Sequence, residues 1–332
     1  MRGPKLVIQI PCYNEEDSLP VTLAAVPDRI AGMGQVEVLV INDGSQDRTV
    51  EVARKHGVEH ILDLGGHVGL AKAFLAGLRE ALRLGADYVV NLDADNQYCA
   101  DDIPKLLRPL MEGTADIVVG ERPIDEIDSF SPLKKRLQII GSWVVRRLSG
   151  TDVRDSPSGF RAFNRRAMMR LFIFNDYTYT HESLIAAGDS GLRVVGVPIR
   201  VNPTVLRPSR LMTGLASYLA KSANTILRFY LLYNPRQLLN TLALAMGIGA
   251  LALMVRFLVY YFLGEGQGHI QSLILASILA TGGMLNFMLA VISDIVHINR
   301  KLLQAVLGEL WEQRYGADGA RVGKEGGGGE RQ

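Results

Sequence analysis

Two carboxylates separated by one residue, Asp93 and Asp95, directly follow the apolar run of residues 88–92 (YVVNL), and Asn96 and Gln97 come next. Carboxylate and amide oxygens are hard ligands that suit Mg²⁺ or Mn²⁺, and either ion can link them to a diphosphate. A D-x-D tripeptide is common by chance, so its position after an apolar run is the informative feature. If that run is a strand, the sequence predicts a divalent-cation site where the strand leaves its sheet.

Two other polar clusters also follow apolar runs: residues 11–16 (PCYNEE) and residues 42–45 (NDGS). The Tyr13 ring can pack against a flat ring, Asp43 can accept two hydrogen bonds from a base edge or a ribose, and Gly44 permits close backbone approach. Ordinary turn and helix-capping chemistry explains each cluster taken alone. Three such clusters at successive strand ends together predict a nucleotide-binding cleft.

Short apolar runs alternate with amphipathic stretches before residue 121. The predicted strands are residues 6–10, 36–41, 88–92 and 117–120, and the predicted helices are residues 18–30, 49–56, 70–84 and 101–111. This alternation predicts a doubly wound, mainly parallel α/β sheet covered on both faces, with its site at the carboxyl ends of the strands. No G-x-G-x-x-G follows the first strand, which argues against a dinucleotide-dependent dehydrogenase.

The composition excludes several classes of protein. The 332 residues carry 36 Lys and Arg against 34 Asp and Glu, a net charge of +2, so no nucleic-acid partner held by bulk charge is expected. Two cysteines, Cys12 and Cys99, cannot form a disulfide framework, and a reducing environment is expected for them. The first thirty residues contain acidic side chains and no uninterrupted apolar region, so no cleaved signal peptide is expected.

Charge is nearly absent from residues 238–263 and 270–293, where Arg256 is the only charged side chain. Each stretch would span roughly 36–39 Å as a helix, enough to cross a hydrocarbon core about 30 Å thick. The short linker 264–269 permits only a turn, which favours a transmembrane hairpin over two buried soluble helices. Lys and Arg flank the outer ends of the pair and are absent from the linker, which predicts that both termini are cytoplasmic.

Two features before the hairpin predict contact with a membrane surface. Residues 134–170 carry ten Lys or Arg against two Asp, which fits either a solvated basic face or contact with anionic headgroups or a phosphorylated substrate. Residues 211–232 place four polar side chains on one helical stripe, namely Ser217, Lys221, Asn224 and Arg228. A helix with this stripe that leads into a membrane span is predicted to lie along the bilayer surface.

Five motifs follow one another in an order typical of one family: PCYNEE, INDGS, GGHVGLAKAFLAGLREAL, NLDADNQY and SPSGFRAFNRRAM. By these motifs, over about residues 5–235, the chain resembles glycosyltransferase family 2. With its hairpin it is most similar to the polyprenyl-phosphate and dolichyl-phosphate sugar synthases. The resemblance implies a GT-A-type doubly wound mixed sheet in a cytoplasmic catalytic domain. The expected division is a catalytic domain (1–210), a juxtamembrane amphipathic helix (211–235), a transmembrane hairpin (236–298) and a cytoplasmic tail (299–332).

The resemblance also implies roles for individual residues. The nucleotide is expected at Pro11, Tyr13 and Glu15, with Asp43 on its base. The metal, Mg²⁺ or Mn²⁺, is expected at three side chains, with Asp93 also approaching the nucleotide: Asp93, Asp95 and Gln97. Arginines that neutralise the donor and acceptor phosphates are expected at Arg122, at Arg161, and at Arg207 or Arg210. Many relatives have a GESK-like segment where this chain has RPSR, so the last assignment departs from the family pattern.

The implied activity is an inverting, metal-dependent transfer of a hexose from a GDP- or UDP-hexose to a polyprenyl phosphate, dolichyl or undecaprenyl, at the cytoplasmic face of the membrane. Two alternatives stay open: a family 2 transferase acting on another lipid or a polysaccharide, and a non-catalytic nucleotide-binding scaffold. Processive polysaccharide synthases usually carry a Q-x-x-R-W segment, which this sequence lacks. The expected partners are the donor, the acceptor and membrane lipid, and a homo-oligomer is left open.

Overall fold

The structure is a computed structural model that describes residues 3–123, 132–173, 179–202 and 235–315. Arg207, Arg210 and the predicted surface helix of residues 211–232 lie outside the described residues. The assignments made for them stay predictions.

The chain divides into two compact units. The first comprises residues 1–218 together with residues 306–332, and the second comprises residues 219–305. The predicted boundaries at residues 210, 235 and 298 stay predictions, although one helix runs without a break through residue 298.

One mixed sheet forms the centre of the first unit. In chain order its strands are β1 (Lys5–Cys12), β2 (Gln35–Asn42), β3 (His60–Asp63), β4 (Tyr88–Asn91), β5 (Ile117–Glu121), β6 (Arg161–Asn164) and β7 (Val194–Pro198). Their spatial order is β3-β2-β1-β4-β6-β5-β7. All neighbours are parallel except the two pairs made by β6, which runs antiparallel to β4 and β5. The expected doubly wound mixed sheet is confirmed.

The strands that the sequence predicts are the ones with continuous apolar runs. In β1, Leu6, Val7, Ile8 and Ile10 are fully buried, as expected of a central parallel strand covered on both faces. The predicted strands all form, as β1, β2, β4 and β5. Three strands were not predicted: β3 (HILD), β6 (RAFN) and β7 (VVGVP). Each has only four or five residues and contains charged, glycine or proline positions, so hydrophobic periodicity is too weak to indicate it.

Helices cover the sheet and bury their apolar faces on it. Those of the first unit within the described residues are α1 (Leu19–Ala25), α2 (Thr49–Lys55), α3 (Leu70–Arg83), α4 (Ile103–Met111), α5 (Pro132–Ser149), α6 (Arg165–Arg170) and α7 (Tyr179–Asp189). Helix α3 packs so closely that a Cβ on Gly77 would stand 2.5 Å from Gln9 Oε1. Helix α1 ends earlier than predicted because Val26, which precedes Pro27, is extended.

In the second unit, helix α8 (Pro235–Phe262) is followed by a 3₁₀ turn (Gly266–His269) and helix α9 (Ile270–Tyr315). Both helices are long and apolar enough to cross a membrane, with mean hydropathies of 2.2 and 1.9 in their most apolar windows. Only 6% and 17% of those windows are buried, so the apolar side chains face outward. The two helices are antiparallel, because Arg236 near the start of α8 pairs with Asp294 of α9 (2.9 Å), whereas Gly249 further along α8 lies against the earlier residue Leu279. The helices therefore form the expected hairpin.

The last turns of α9 belong to the first unit. The Arg79 guanidinium of α3 lies over the Trp311 ring at 5.2 Å, and Phe172 meets the same ring edge-on at 6.3 Å. The Arg165 Nε–H group of α6 donates to the Tyr315 carbonyl (3.0 Å). Residues 306–315 are thus an ordered part of the sheet unit.

Candidate active site

The sheet brings the three predicted polar clusters to one edge. Strand β1 lies between β2 and β4 and is parallel to both, so the chain leaves the sheet after Cys12, Asn42 and Asn91 at the same edge. The loop after β4 is joined there to helix α1, because Thr22 Oγ1 donates a hydrogen bond to the Ala94 carbonyl (2.9 Å). The geometry therefore supports the expected cleft at the carboxyl ends of the strands.

The Asp93 carboxylate is the electrostatic centre of this edge. It lies half-buried against Gly159, where a Cβ would stand 2.5 Å from Oδ2. Burial and then the charge of Asp95 raise the pKa of Asp93 to about 7, while Arg122 and Arg161 act in the opposite direction. None of the residues in the described ranges donates a hydrogen bond to this carboxylate. A carboxylate whose charge is opposed by burial and by a second carboxylate suits a divalent cation, which would neutralise both.

The turn after Asp93 holds the second carboxylate in place. Gln97 N donates to Asp95 Oδ1 (3.1 Å), Asn96 adopts φ 54°, and Asn202 Nδ2 donates to the Asn96 carbonyl (2.8 Å). Within the described ranges no group of three or more His, Cys, Asp or Glu side chains forms a metal centre. The donor set fits Mg²⁺ or Mn²⁺ in another way, since such ions are often held by one or two carboxylates together with substrate phosphate oxygens.

Asp43 organises the loop that precedes α3. Its carboxylate accepts hydrogen bonds from Val68 N (2.7 Å) and Gly69 N (3.1 Å), and His67 Nδ1 lies 2.9 Å from Oδ2. The residue is 3% exposed. The Tyr13 ring, which we expected to pack against a flat ring, stacks on the His67 imidazole with centroids 4.0 Å apart. The Asp43 carboxylate, which we predict to contact a nucleobase, is therefore already bound to protein groups. Its contact with a nucleobase stays a prediction.

The other residues predicted to hold the nucleotide lie in or directly after β1. Pro11 is a buried strand residue paired with Ile41. The Glu15 carboxylate is 7% exposed and accepts a hydrogen bond from Ser18 Oγ (2.6 Å). Their contact with a nucleotide stays a prediction.

Arg122 directly follows β5, and the Asp155 carboxylate binds its guanidinium. Its Nε and Nη2 groups lie 2.6 and 3.0 Å from the two carboxylate oxygens, and its backbone N–H also donates to Asp155 (3.2 Å). Although burial opposes its charge, Tyr98, Asp155 and Asp93 raise the pKa of Arg122 above its usual value. The guanidinium is therefore a permanent cation beside the carboxylate pair.

Arg161, for which we expected a phosphate contact, is buried and bound to protein groups, and that contact stays a prediction. It is 0% exposed, and its guanidinium donates to the Ser158 carbonyl (2.8 Å), the Ser156 carbonyl (2.6 Å) and Ser183 Oγ (2.5 Å). Burial lowers its pKa to about 10, which still leaves it charged at neutral pH. It is the first residue of β6, it pairs with Asn91 of β4, and its side chain is fully buried. The positive charge of this buried guanidinium lowers the pKa of Asp93.

A family model described as glycosyl transferase family 2 matches residues 7–172, which include all three polar clusters and both arginines. The chain belongs to this family. It is 30% identical over 216 residues to an undecaprenyl-phosphate mannosyltransferase of Micrococcus luteus, covering 62% of this chain and 87% of that protein. It is 29% identical over 222 residues to a UDP-N-acetylglucosamine–dolichyl-phosphate N-acetylglucosaminyltransferase of Methanococcus voltae, covering 60% and 86%.

Solved structures with the same fold support the GT-A assignment of this family 2 transferase. A glucosyl-3-phosphoglycerate synthase of Mycobacterium tuberculosis, crystallised with Mn²⁺, UDP and glucosyl-3-phosphoglycerate, superposes with a TM-score of 0.52. The match covers 69% of this chain and 79% of that protein at 19% identity. At this identity the likeness concerns the fold alone.

The structure also reveals residues of the transferase that the sequence analysis did not single out. Asp155 fixes Arg122, and Tyr98 fixes Gly159 through a hydrogen bond from Gly159 N to the Tyr98 hydroxyl (3.0 Å). His67 covers Tyr13. Tyr98 and His67 lie within the motifs NLDADNQY and GGHVGLAKAFLAGLREAL, and Asp155 directly precedes SPSGFRAFNRRAM, but the resemblance assigned none of them a role. These positions are the only sequence signals that could have identified them.

Proposed function

We propose that this family 2 transferase moves a hexose from a GDP- or UDP-hexose to a polyprenyl phosphate, dolichyl or undecaprenyl, at the cytoplasmic face of a membrane. The observation that carries the proposal is the pair Asp93 and Asp95 at the carboxyl edge of a GT-A sheet, with the fixed cation Arg122 nearby. The names of the two relatives and the two apolar helices support a lipid-phosphate acceptor.

The donor diphosphate would lie beside the carboxylate pair. Asp93, Asp95 and Gln97 are the residues proposed to hold Mg²⁺ or Mn²⁺, which when bound would neutralise the diphosphate of the leaving nucleotide. Arg122 would add a positive charge that Asp155 keeps in one orientation. Because these groups are positioned before the donor arrives, little reorganisation is needed as charge builds on the leaving group.

The transfer itself needs no dedicated general base. A phosphate monoester has a second pKa near 6, so its oxygen is largely ionised at neutral pH and can attack the anomeric carbon directly. The bond from that oxygen to the anomeric carbon forms while the bond from the carbon to the nucleoside diphosphate oxygen breaks, and the electron pair leaves with the diphosphate. In-line attack inverts the anomeric centre, so the chain's main contribution is to position and neutralise the reactants.

The hairpin of α8 and α9 would anchor the enzyme where its acceptor resides. A long polyprenyl chain stays in the bilayer, and its phosphate lies at the headgroup level. The basic side chains that flank the outer ends of the helices support the proposal that both termini are cytoplasmic. A cytoplasmic sheet unit would have direct access to soluble nucleotide sugars.

One experiment tests the proposal and its alternatives together. Membranes containing the full chain are incubated with polyprenyl phosphate, Mn²⁺ or Mg²⁺, and radiolabelled UDP- or GDP-hexoses in separate reactions. We expect label in the organic phase with one donor class and strongly reduced label with Asp95→Asn at a low cation concentration, whereas Asp101→Asn, which alters an exposed carboxylate in the turn before α4, retains the signal. Label in a water-soluble polymer would indicate a polysaccharide acceptor. No transfer to any acceptor would favour the non-catalytic scaffold.

A further inference from the structure

The loop before α3 contains a side chain that the proposed reaction does not use. His67 is a flat, half-exposed ring stacked on Tyr13, with centroids 4.0 Å apart and planes inclined by 25°. Its Nδ1 lies 2.9 Å from Oδ2 of Asp43, which is buried. Nδ1 also lies 3.3 Å from the Asp43 backbone carbonyl, and because both neighbouring oxygens only accept, Nδ1 carries the hydrogen and the imidazole presents a ring N–H group to Asp43.

A nucleobase is recognised by the same two features, a flat face for stacking and a ring N–H group at its edge. We propose that His67 occupies the place of the donor's nucleobase and is displaced when the nucleotide binds. This inference rests on the proposed function. On binding, the base takes the place of the imidazole against Tyr13, and a base N–H group replaces Nδ1–H at Asp43 Oδ2. The freed imidazole turns into solvent, where water satisfies its nitrogen.

The surrounding contacts make the His67 side chain the removable partner. The other donors to Asp43 are the backbone N–H groups of Val68 and Gly69, which cannot leave without moving the start of α3. The loop backbone is also fixed from the other side, because a Cβ on Gly44 would stand 2.5 Å from His67 N. The His67 side chain, in contrast, is 53% exposed and can leave by rotation alone.

The stacking distance shows why both rings cannot stay in place. A base inserted between two rings needs van der Waals separation on each of its faces, and centroids 4.0 Å apart leave no room for it. Displacement also implies a preference among bases. Uracil and guanine carry a ring N–H group that can donate to Asp43, whereas the corresponding ring nitrogens of cytosine and adenine are acceptors and would face a carboxylate.

The displacement has a measurable cost in affinity. If His67 covers Tyr13 in about nine of ten molecules, the apparent affinity for the nucleotide is about tenfold weaker than that of the open site. His67→Ala should therefore bind a nucleoside diphosphate more tightly than the natural protein does. A side chain that contacted the bound base would give the opposite change.

The test measures binding of UDP and GDP, each with Mn²⁺, by calorimetry on the full chain in lipid nanodiscs. We expect His67→Ala to lower the Kd of the preferred nucleotide about five- to tenfold. His56→Ala, which removes an exposed histidine of the loop after α2, should leave the Kd unchanged. Inorganic pyrophosphate, which has no base, should bind both the natural protein and His67→Ala equally. In a Tyr13→Ala background, His67→Ala should change the Kd less than twofold.

Two results overturn the inference alone, provided that the natural protein binds a nucleotide. In the first, His67→Ala has the same Kd as the natural protein, and in the second it has a higher Kd. Tighter binding of pyrophosphate in His67→Ala would also overturn it, because the effect would then not concern the base. If neither protein binds any nucleoside diphosphate, the proposed function fails and the inference fails with it. The binding of the natural protein therefore distinguishes the two failures.

Discussion

Asp155 and Arg122 form a two-point ion pair next to the candidate site, with Arg122 Nε and Nη2 2.6 and 3.0 Å from the carboxylate oxygens. The side chain of Arg122 is 9% exposed and that of Asp155 is 1% exposed. A pair this buried fixes the direction of the guanidinium, and breaking it leaves one charge without compensation. The orientation of the charge near Asp93 therefore depends on a residue that need not touch a substrate.

Asp155→Asn is expected to lower both stability and activity. The free energy of unfolding should fall by about 3–5 kcal/mol, because Arg122 stays buried without its counter-charge. The double variant Arg122→Met with Asp155→Leu should recover most of that stability and no transfer activity. Urea unfolding in detergent and the radiolabel transfer assay measure the two effects separately. Full activity in the double variant would show that Arg122 makes no contribution to the reaction.

Removing the divalent cation is expected to abolish transfer, and Asp95→Asn should raise the cation concentration needed for half-maximal activity. The lost carboxylate removes one of the proposed ligands, so we expect a shift of at least tenfold, on the order of 1.4 kcal/mol. The measurement is a titration of EDTA-treated membranes with Mn²⁺ or Mg²⁺. Asp101→Asn serves as the control with an exposed carboxylate. Full transfer in EDTA would contradict the metal role.

Arg161→Lys separates an internal role from direct contact with a phosphate. Lysine keeps the charge but cannot reach the carbonyls of Ser156 and Ser158 and the hydroxyl of Ser183 together. We expect a loss of about 2 kcal/mol in unfolding free energy and a kcat within tenfold of the natural value at a temperature where the variant is folded. A loss of more than a hundredfold in kcat with unchanged stability would instead indicate a guanidinium that touches the reacting phosphates.

The difference between Asp93 and Arg161 shows how far the sequence could predict this site. Asp93, Asp43 and Tyr13 follow strands with continuous apolar runs, and parallel strands place their carboxyl ends at one edge, so their proximity was predictable. Arg161 begins β6, a four-residue strand that hydrophobic periodicity does not indicate. Without the antiparallel pairing of β6 with β4, nothing in the segment SGFR shows that its arginine points into the fold.

The partners of the site residues were also beyond prediction from the sequence. Asp155 lies thirty-three positions after Arg122, and Gly159 lies against Asp93 only because β6 is inserted between β4 and β5. Such contacts depend on the packing of distant segments rather than on local patterns. The hairpin was predictable for the opposite reason, since long uncharged runs determine its helices locally.

Asp116 is expected to make stability depend on pH in acid. Although burial opposes its charge, hydrogen bonds from Arg193 and Asn164 lower the pKa of Asp116 to about 2, below the value of about 4 for an unfolded chain. A lowered folded pKa gives stability that is present above pH 4 and lost as the pH falls towards 2. We expect about 2 kcal/mol, so Asp116→Asn should be less stable than the natural protein at pH 7, with a smaller difference at pH 3. Asp28→Asn, which changes an exposed carboxylate, should show no such trend in urea unfolding.

The two tryptophans allow a matched test of the contact between α9 and the sheet unit. Trp311 packs against Arg79 and Phe172, whereas Trp143 on α5 is 57% exposed. Trp311→Ala should lower the unfolding free energy of the sheet unit by about 2–3 kcal/mol, through lost ring burial and the lost cation–π contact. Trp143→Ala should change it by less than 0.5 kcal/mol, as is usual for exposed positions.

Fluorescence makes the Trp311 prediction specific to this contact. With Trp143→Phe in place, Trp311 is the sole tryptophan of the chain, and its emission should shift to the red when the last turns of α9 detach. We expect this shift to coincide with unfolding of the sheet unit in urea, because residues 306–315 pack on α3 and α6. A shift at lower urea than the loss of nucleotide binding would contradict the prediction, since it would show that the sheet unit stays folded after this segment leaves.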